Sequence, residues 1–313
     1  MSSGPDSRIL VTGASGFVGS RLLRRLSTTP AEVLGLAPPH GGGAGFAAVD
    51  LFDRNALSDL VADFRPTAVV HLAAISSVGD RSTRADSVWG VNFEGTCRLY
   101  EAVRTSAEPV RFIFASSAEA YGRQFNRGPL DEESPLEPLS SYARTKAASE
   151  YYLRDMATEE FPVVALRLFN HTGAGQDERF VLPSFAAQFA RAIKSGGETI
   201  TVGNLDSVRD FSDVSDVLEA YVAVLESDYR GKTFEVYNVG SGRAVPIRTI
   251  IDVLNENVGR HLETKYDVSR GRPSDIPRAE GIFDKFRDRY GWVAKVPFEK
   301  TIKDVLTYEM ARL

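Results

Sequence analysis

Arg8-Ile9-Leu10-Val11-Thr12 runs without interruption into Gly13-Ala14-Ser15-Gly16-Phe17-Val18-Gly19-Ser20-Arg21-Leu22-Leu23, and this junction decides the fold. The first stretch is a short apolar run of the kind buried on both faces of a parallel sheet. The second carries its apolar side chains at helical spacing. Three glycines placed between a strand and a helix each have a physical use. Gly13 permits a tight turn, Gly16 lets the backbone approach a pyrophosphate, and Gly19 lets the helix pack closely on the strand. The N–H groups of the stretch Ser15, Gly16, Phe17, Val18 and Gly19, at the positive end of the helix dipole, suit that anion.

Outward from this junction, strand-like and helix-like segments alternate. They are Arg8–Thr12, Phe17–Leu26, Glu32–Leu36, Asn55–Phe64, Ala68–Leu72, Ser87–Arg104, Arg111–Ala115, Ser140–Glu160 and Val163–Phe169. This rhythm predicts an α/β fold, a doubly wound parallel sheet with helices on both faces. Pro38 to Gly45 reads as a flexible loop after the second strand. After Phe169 the rhythm breaks into loop-rich sequence, so residues 1–169 are expected to form a dinucleotide-binding domain and 170–313 a smaller, partly interleaved lobe. Segments near Val208–Leu225 and Val236–Gly240, read as a helix and a strand, are expected to return to the first sheet within 206–242.

With 313 residues and 43% hydrophobic composition, the chain can bury a large core. Its formal net charge of −5 is spread without long runs of one sign, which argues against nucleic-acid or membrane partners. The lone Cys97 cannot form an internal disulfide and fits a reducing compartment, so a cytoplasmic location is expected. Met1 to Ser7 has neither the basic start nor the apolar stretch of a leader. No apolar run approaches the roughly 20 residues needed to span a bilayer.

At the end of the second strand, Leu34 to His40 contains neither the acid that would hold the ribose hydroxyls of NAD nor an arginine for a 2′-phosphate. Without an element that selects against the phosphate, the reading favours NADP(H) and leaves NAD(H) open. Asp50-Leu51 would meet the adenine, with an ordinary turn aspartate as the equal alternative. Tyr142-Ala143-Arg144-Thr145-Lys146 sets a phenol and an ammonium on one helical face. A nearby cation lowers a tyrosine pKa, which makes Tyr142 a candidate acid–base group and Lys146 its activator. Ser116-Ser117, ending the strand Arg111–Ala115, would supply a second donor beyond the strand end.

Together these residues resemble the extended short-chain dehydrogenases, the family of nucleotide-sugar epimerases, dehydratases and reductases. The likeness takes in Thr12 to Gly19, Asp50, His71 to Ala74, Val91 to Thr96, Ser116 to Gly122 and Tyr142 to Lys146. It implies that Ser117, Tyr142 and Lys146 are a catalytic triad, and that Leu51, Leu72, Ala73, Ala74 and Asn92 belong to the cofactor site. The second half, through Phe169 to Gln176, Val202 to Phe211 and Arg272 to Asp275, is similar to the branch holding GDP-mannose 4,6-dehydratases and GDP-4-keto-6-deoxymannose reductases. The branch implies substrate contacts from Asn170, Val202, Asn204, Arg209 and Arg272, the two arginines clamping a diphosphate. Glu119 could be the base of a dehydratase, but Ala118 cannot be its acid, and Arg209 to Val214 is closer to the reductase. The reading is therefore NAD(P)H-dependent reduction of a 4-keto group on a GDP-linked 6-deoxy sugar. The rivals are a 4,6-dehydratase, a 4-epimerase and a non-catalytic dinucleotide sensor. Ser87–Arg104 and Ser140–Glu160 resemble helices that pair across a two-fold axis in relatives, which implies a homodimer.

Overall fold

The structure, a computed structural model, describes residues 7–39, 46–76, 84–229, 232–270 and 276–313. Arg272 and the whole of the glycine-rich stretch His40 to Gly45 lie outside the described residues. The first half runs β1 (Arg8–Thr12), α1 (Phe17–Leu26), β2 (Glu32–Ala37), β3 (Ala47–Ala48), α2 (Arg54–Phe64) and β4 (Ala68–His71). It continues with α3 (Ala85–Trp89), α4 (Gly95–Val103), β5 (Arg111–Ser117), α5 (Ser141–Met156) and β6 (Val163–Leu168). The second half comprises β7 (Asn170–Thr172), α6 (Val181–Ser195), β8 (Thr199–Val202), β9 (Val208–Asp213), α7 (Val214–Glu226) and β10 (Phe234–Val239). It closes with β11 (Ala244–Pro246), α8 (Arg248–Val258), β12 (Glu263–Tyr266), β13 (Arg278–Ala279), α9 (Asp284–Tyr290) and α10 (Phe298–Ala311).

Seven strands form one parallel sheet in the order β10-β6-β5-β4-β1-β2-β3, the doubly wound arrangement expected from the sequence. Side chains alternate between its faces. Ile9 and Val11 pack with Leu22 and Leu26 of α1 and Val217 and Leu225 of α7. Leu10, Phe112 and Phe114 pack on the other face with Leu57 of α2, Leu99 of α4 and Leu153 of α5. A second sheet is built on β9, which pairs with β7, β11 and β13. Its core joins Phe211 to Phe185 and Phe189 of α6, Leu254 of α8 and Ile302 of α10. No described helix is long and apolar enough to cross a membrane.

Two segments depart from the sequence reading. Ser87–Arg104 is not one regular helix: a π-helical turn, Gly90–Glu94, joins α3 to α4. The wider turn lets the Asn92 carbonyl accept from the hydroxyls of Thr96 at 2.6 Å and Ser149 at 3.2 Å. Val208–Leu225 is a strand followed by a helix, because the Asp213 side chain accepts the Ser215 N–H and starts α7 there. Only α7 flanks the large sheet, whereas β9 belongs to the small one. Strand β10 does return, pairing in parallel with β6 at the sheet edge.

Candidate active site

The turn between β1 and α1 is built for close approach. Gly13 has φ +65°, and a Cβ there would lie 2.7 Å from the Ala73 nitrogen. A Cβ on Gly19 would come within 2.2 Å of the Gly13 carbonyl oxygen. Both positions therefore exclude any side chain. No side chain among the described residues caps α1, so its first N–H groups stay available at the helix start. Gly13, Ser15, Gly16, Phe17, Val18 and Gly19 line a cavity of about 990 Å³ at the C-terminal ends of β1, β4, β5 and β6. This is where an open parallel sheet binds ligands. A side-chain-free cradle at a helix N-terminus fits the pyrophosphate of a dinucleotide.

Beside it, the loop after β4 contributes Leu72 and Ala74 to the cavity wall, while Ala73 backs Gly13 and donates its N–H to the Thr12 hydroxyl at 3.3 Å. Asn92 is fully buried and does not line the cavity. Its carboxamide accepts the Ile75 N–H at 2.8 Å and donates to the Ile75 carbonyl at 3.1 Å and the Thr145 hydroxyl at 3.3 Å. It thus braces the cofactor-side loop against α5. His71 bridges the hydroxyls of Thr12 at 2.7 Å and Thr96 at 2.9 Å. Burial, then the nearby Lys146, push its pKa down to about 3, so the imidazole is neutral.

Ser117, Glu119, Tyr142 and Lys146 line the same cavity. The Ser140 hydroxyl accepts the Ala143 N–H at 3.1 Å and starts α5, which puts Tyr142 in its first turn and Lys146 one turn further on. The Ser117 hydroxyl accepts the Glu119 N–H at 3.1 Å. Its own proton is left for the Tyr142 oxygen, a hydrogen bond that lowers the phenol pKa. Sequence reasoning expects Lys146 to pull that phenol down. Instead burial, followed by the Glu119 charge, push it well above the ordinary tyrosine value. Lys146 Nζ donates to the Ala115 carbonyl at 2.7 Å and stands 5.8 Å from the Tyr142 ring centroid. Burial lowers its own pKa to about 7, opposed by Glu150.

Of the expected substrate contacts, Asn170 lines the cavity. Val202 is buried at the end of β8, and Asn204 closes a turn by accepting the Asp206 N–H at 2.9 Å. Arg209 on β9 donates to the Val208 carbonyl at 2.8 Å. None of these three is part of the cavity wall, and Arg272 is outside the described residues. Asp50 accepts the Phe52 N–H at 2.9 Å in a turn, and Leu51 lies against Gly95; neither reaches the cavity.

Four lining groups were given no role from the sequence. Tyr221 of α7 is fully buried and its hydroxyl has no hydrogen-bond partner among the described residues, as is true of Thr172 Oγ1 and Gln176 Oε1. Within the apolar pattern of α7 a tyrosine reads as core, so nothing local marks it. Arg21, stacked 4.1 Å over Phe17, donates to the Phe17 and Ala174 carbonyls and ties α1 to the loop after β7.

The sequence matches the NAD dependent epimerase/dehydratase family over residues 9–240. It is 33% identical to the GDP-6-deoxy-D-mannose reductase of Pseudomonas aeruginosa, with 96% of each chain covered. Among solved structures, RMD from Pseudomonas aeruginosa complexed with NADPH superposes with a TM-score of 0.85 at 32% identity, covering 98% of this chain and all of that one. The Thermotoga maritima UDP-glucose 4-epimerase with UDP-glucose gives 0.86 at 27% identity, over 97% and 99% of the two chains. A glycine cradle and a serine, tyrosine and lysine facing one cavity accord with that company, and the chain belongs to the NAD dependent epimerase/dehydratase family.

Proposed function

We propose that the protein is a nicotinamide-dependent reductase that converts the 4-keto group of a GDP-linked 6-deoxy sugar to a hydroxyl. NADPH is the favoured reductant and NADH the alternative. One observation carries the reading: Ser117, Tyr142 and Lys146 share a cavity wall with the Gly13–Gly19 turn. The likeness to GDP-6-deoxy-D-mannose reductase along nearly the whole chain, and to a structure solved with NADPH, supports the substrate class and the cofactor.

When bound, the reduced nicotinamide supplies a hydride to the carbonyl carbon. The chain's own residues supply the rest. Tyr142, kept in its protonated form by burial, gives its proton to the carbonyl oxygen as that oxygen gains charge. Ser117 hydrogen-bonds the same oxygen and holds it facing the phenol. Lys146 places an ammonium beside the resulting phenolate and would hold the ribose hydroxyls of the cofactor. The turn at Gly13, Ser15 and Gly16 would hold the pyrophosphate, with Asp50 and Leu51 toward the adenine. Asn170, Val202, Asn204, Arg209 and Arg272 are assigned to the nucleotide sugar, and residues 170–313, apart from α7 and β10, to its lobe.

A second reading, a 4,6-dehydratase, has one specific support: Glu119 lines the same cavity as Tyr142, and a dehydratase needs a base for the carbon-bound proton beside its keto group, whereas a 4-epimerase needs none. Incubation with GDP-4-keto-6-deoxymannose and NADPH decides between them. The reductase consumes the cofactor stoichiometrically and yields a 4-hydroxy product by NMR. An enzyme that carries tightly bound oxidised cofactor and turns over with no net NADPH loss contradicts the proposal. We also propose a cytoplasmic homodimer paired through the segment Ser87–Arg104 and α5, where Tyr151 is 55% exposed and Trp89, Phe93 and Tyr152 form an edge-to-face row.

A further inference from the structure

Behind Lys146 lies a buried polar chain, Glu150 with Arg167, to which the proposed reaction assigns no role. Lys146 and Glu150, one turn apart on α5, dock on consecutive residues of β5. The ammonium donates to the Ala115 carbonyl, and the Glu150 carboxylate accepts from the Ser116 hydroxyl. The next residue along that strand is Ser117. Arg167, opposite Ser116 on β6, grips Glu150 from the other side, with Nη2 2.7 Å from one carboxylate oxygen and Nε 3.1 Å from both. Its remaining nitrogen donates to the Tyr121 hydroxyl at 2.9 Å and the Glu132 carbonyl at 3.1 Å. Tyr121 ends the turn that carries Glu119. All of Lys146, Glu150 and Arg167 are at most 2% exposed.

A buried ammonium with one carbonyl partner is costly to keep charged unless an anion stands nearby. We propose that Glu150 is a positioning residue that keeps the Lys146 ammonium charged and aligned, with Arg167 and Ser116 fixing its carboxylate. The other charged and titratable groups around Lys146 do not substitute for it. His71 on β4 is neutral, Tyr142 and Tyr221 are neutral phenols, Arg167 is itself cationic, and the Glu119 charge acts on the Tyr142 phenol instead. Burial lowers Lys146, Glu150 is the group that opposes it, and with both acting the ammonium titrates at about 7. The inference rests on the reading of Lys146 as the catalytic ammonium.

The test is a pH titration of the Lys146 side chain in the ligand-free protein, by NMR of the labelled ε-carbon, with Lys146→Met identifying the signal. In Glu150→Gln the midpoint should fall by at least about one pH unit, a tenfold loss of proton affinity. In Glu150→Asp, which retains the charge, it should stay near that of the parent. Should Glu150→Gln fail to fold around an unpaired Arg167, the double variant Glu150→Gln/Arg167→Gln removes both charges and should still lower the midpoint. In the pH profile of kcat/KM, the high-pH loss of activity should move to lower pH in step with the titration. An unmoved midpoint in the glutamine variants, or an equal fall in Glu150→Asp, overturns the proposal. Full activity of Lys146→Met would instead refute the catalytic reading of the lysine, which the titration does not test.

Discussion

At neutral pH Tyr142 holds its proton, since burial and the Glu119 carboxylate both disfavour the phenolate. That suits a group that must donate during reduction. Tyr142→Phe should lower kcat by about 10²- to 10⁴-fold while the dissociation constant for NADPH, read by fluorescence titration, stays nearly unchanged. Turnover within tenfold of the parent would show that the proton comes from elsewhere. Tyr221 offers the opposite case: its hydroxyl sits buried at the cavity wall with no partner among the described residues. Tyr221→Phe should stabilise the ligand-free protein by about 1 kcal/mol in urea unfolding, while raising KM for the ligand that completes the hydroxyl's hydrogen bond. A lower stability with unaltered KM would place the tyrosine outside the site. His71 sets a pH dependence. Its folded pKa, about 3, lies below the unfolded value of 6.5, so as pH falls the unfolded chain takes up a proton first. The folded state keeps its full stability above about pH 6.5 and loses about 2 kcal/mol from this residue by about pH 5. His71→Gln should flatten that part of the profile; an unchanged slope between about pH 6.5 and 5 would assign it to other groups.

Among the elements, the π-helical turn matters most to the site, because it carries Asn92 between the loop after β4 and the catalytic helix α5. Asn92→Ala strips three side-chain hydrogen bonds and leaves the Ile75 N–H and carbonyl unsatisfied. The expected cost is about 2–4 kcal/mol of stability, with weaker cofactor binding by calorimetry. Binding and stability equal to the parent's would remove the bracing role. The same element shows where reading the chain stops. Ser87–Arg104 has helical periodicity throughout, and periodicity does not report one residue of excess per turn. The Gly13–Gly19 turn was legible because each glycine answers a local backbone demand. Tyr142 and Lys146 were legible because four residues on a helix fix their mutual distance. Glu150 and Arg167 were not, though an arginine inside the apolar run Val163–Leu168 was a visible anomaly, and only the β5–β6 register shows what it meets. Tyr221 reaches the cavity from a helix more than 200 residues beyond the glycine turn, a distance that no local pattern encodes.

At the scale of the whole molecule, the pairing proposed through Ser87–Arg104 and α5 should give a dimer in sedimentation at micromolar concentration. Tyr151→Arg, a charge on the exposed part of that face, should shift it toward monomer. A monomeric parent would refute the pairing. The sheet itself has an unusual dependence on chain order. β6 takes its outer neighbour from Phe234–Val239, some seventy residues downstream, after much of the small lobe has been made. During synthesis, the edge of β6 must therefore wait uncovered while residues 170–233 emerge. A fragment ending near residue 169 would present that bare edge permanently. Such a piece should precipitate or self-associate when expressed alone, and recover solubility when a segment containing 234–239 is supplied.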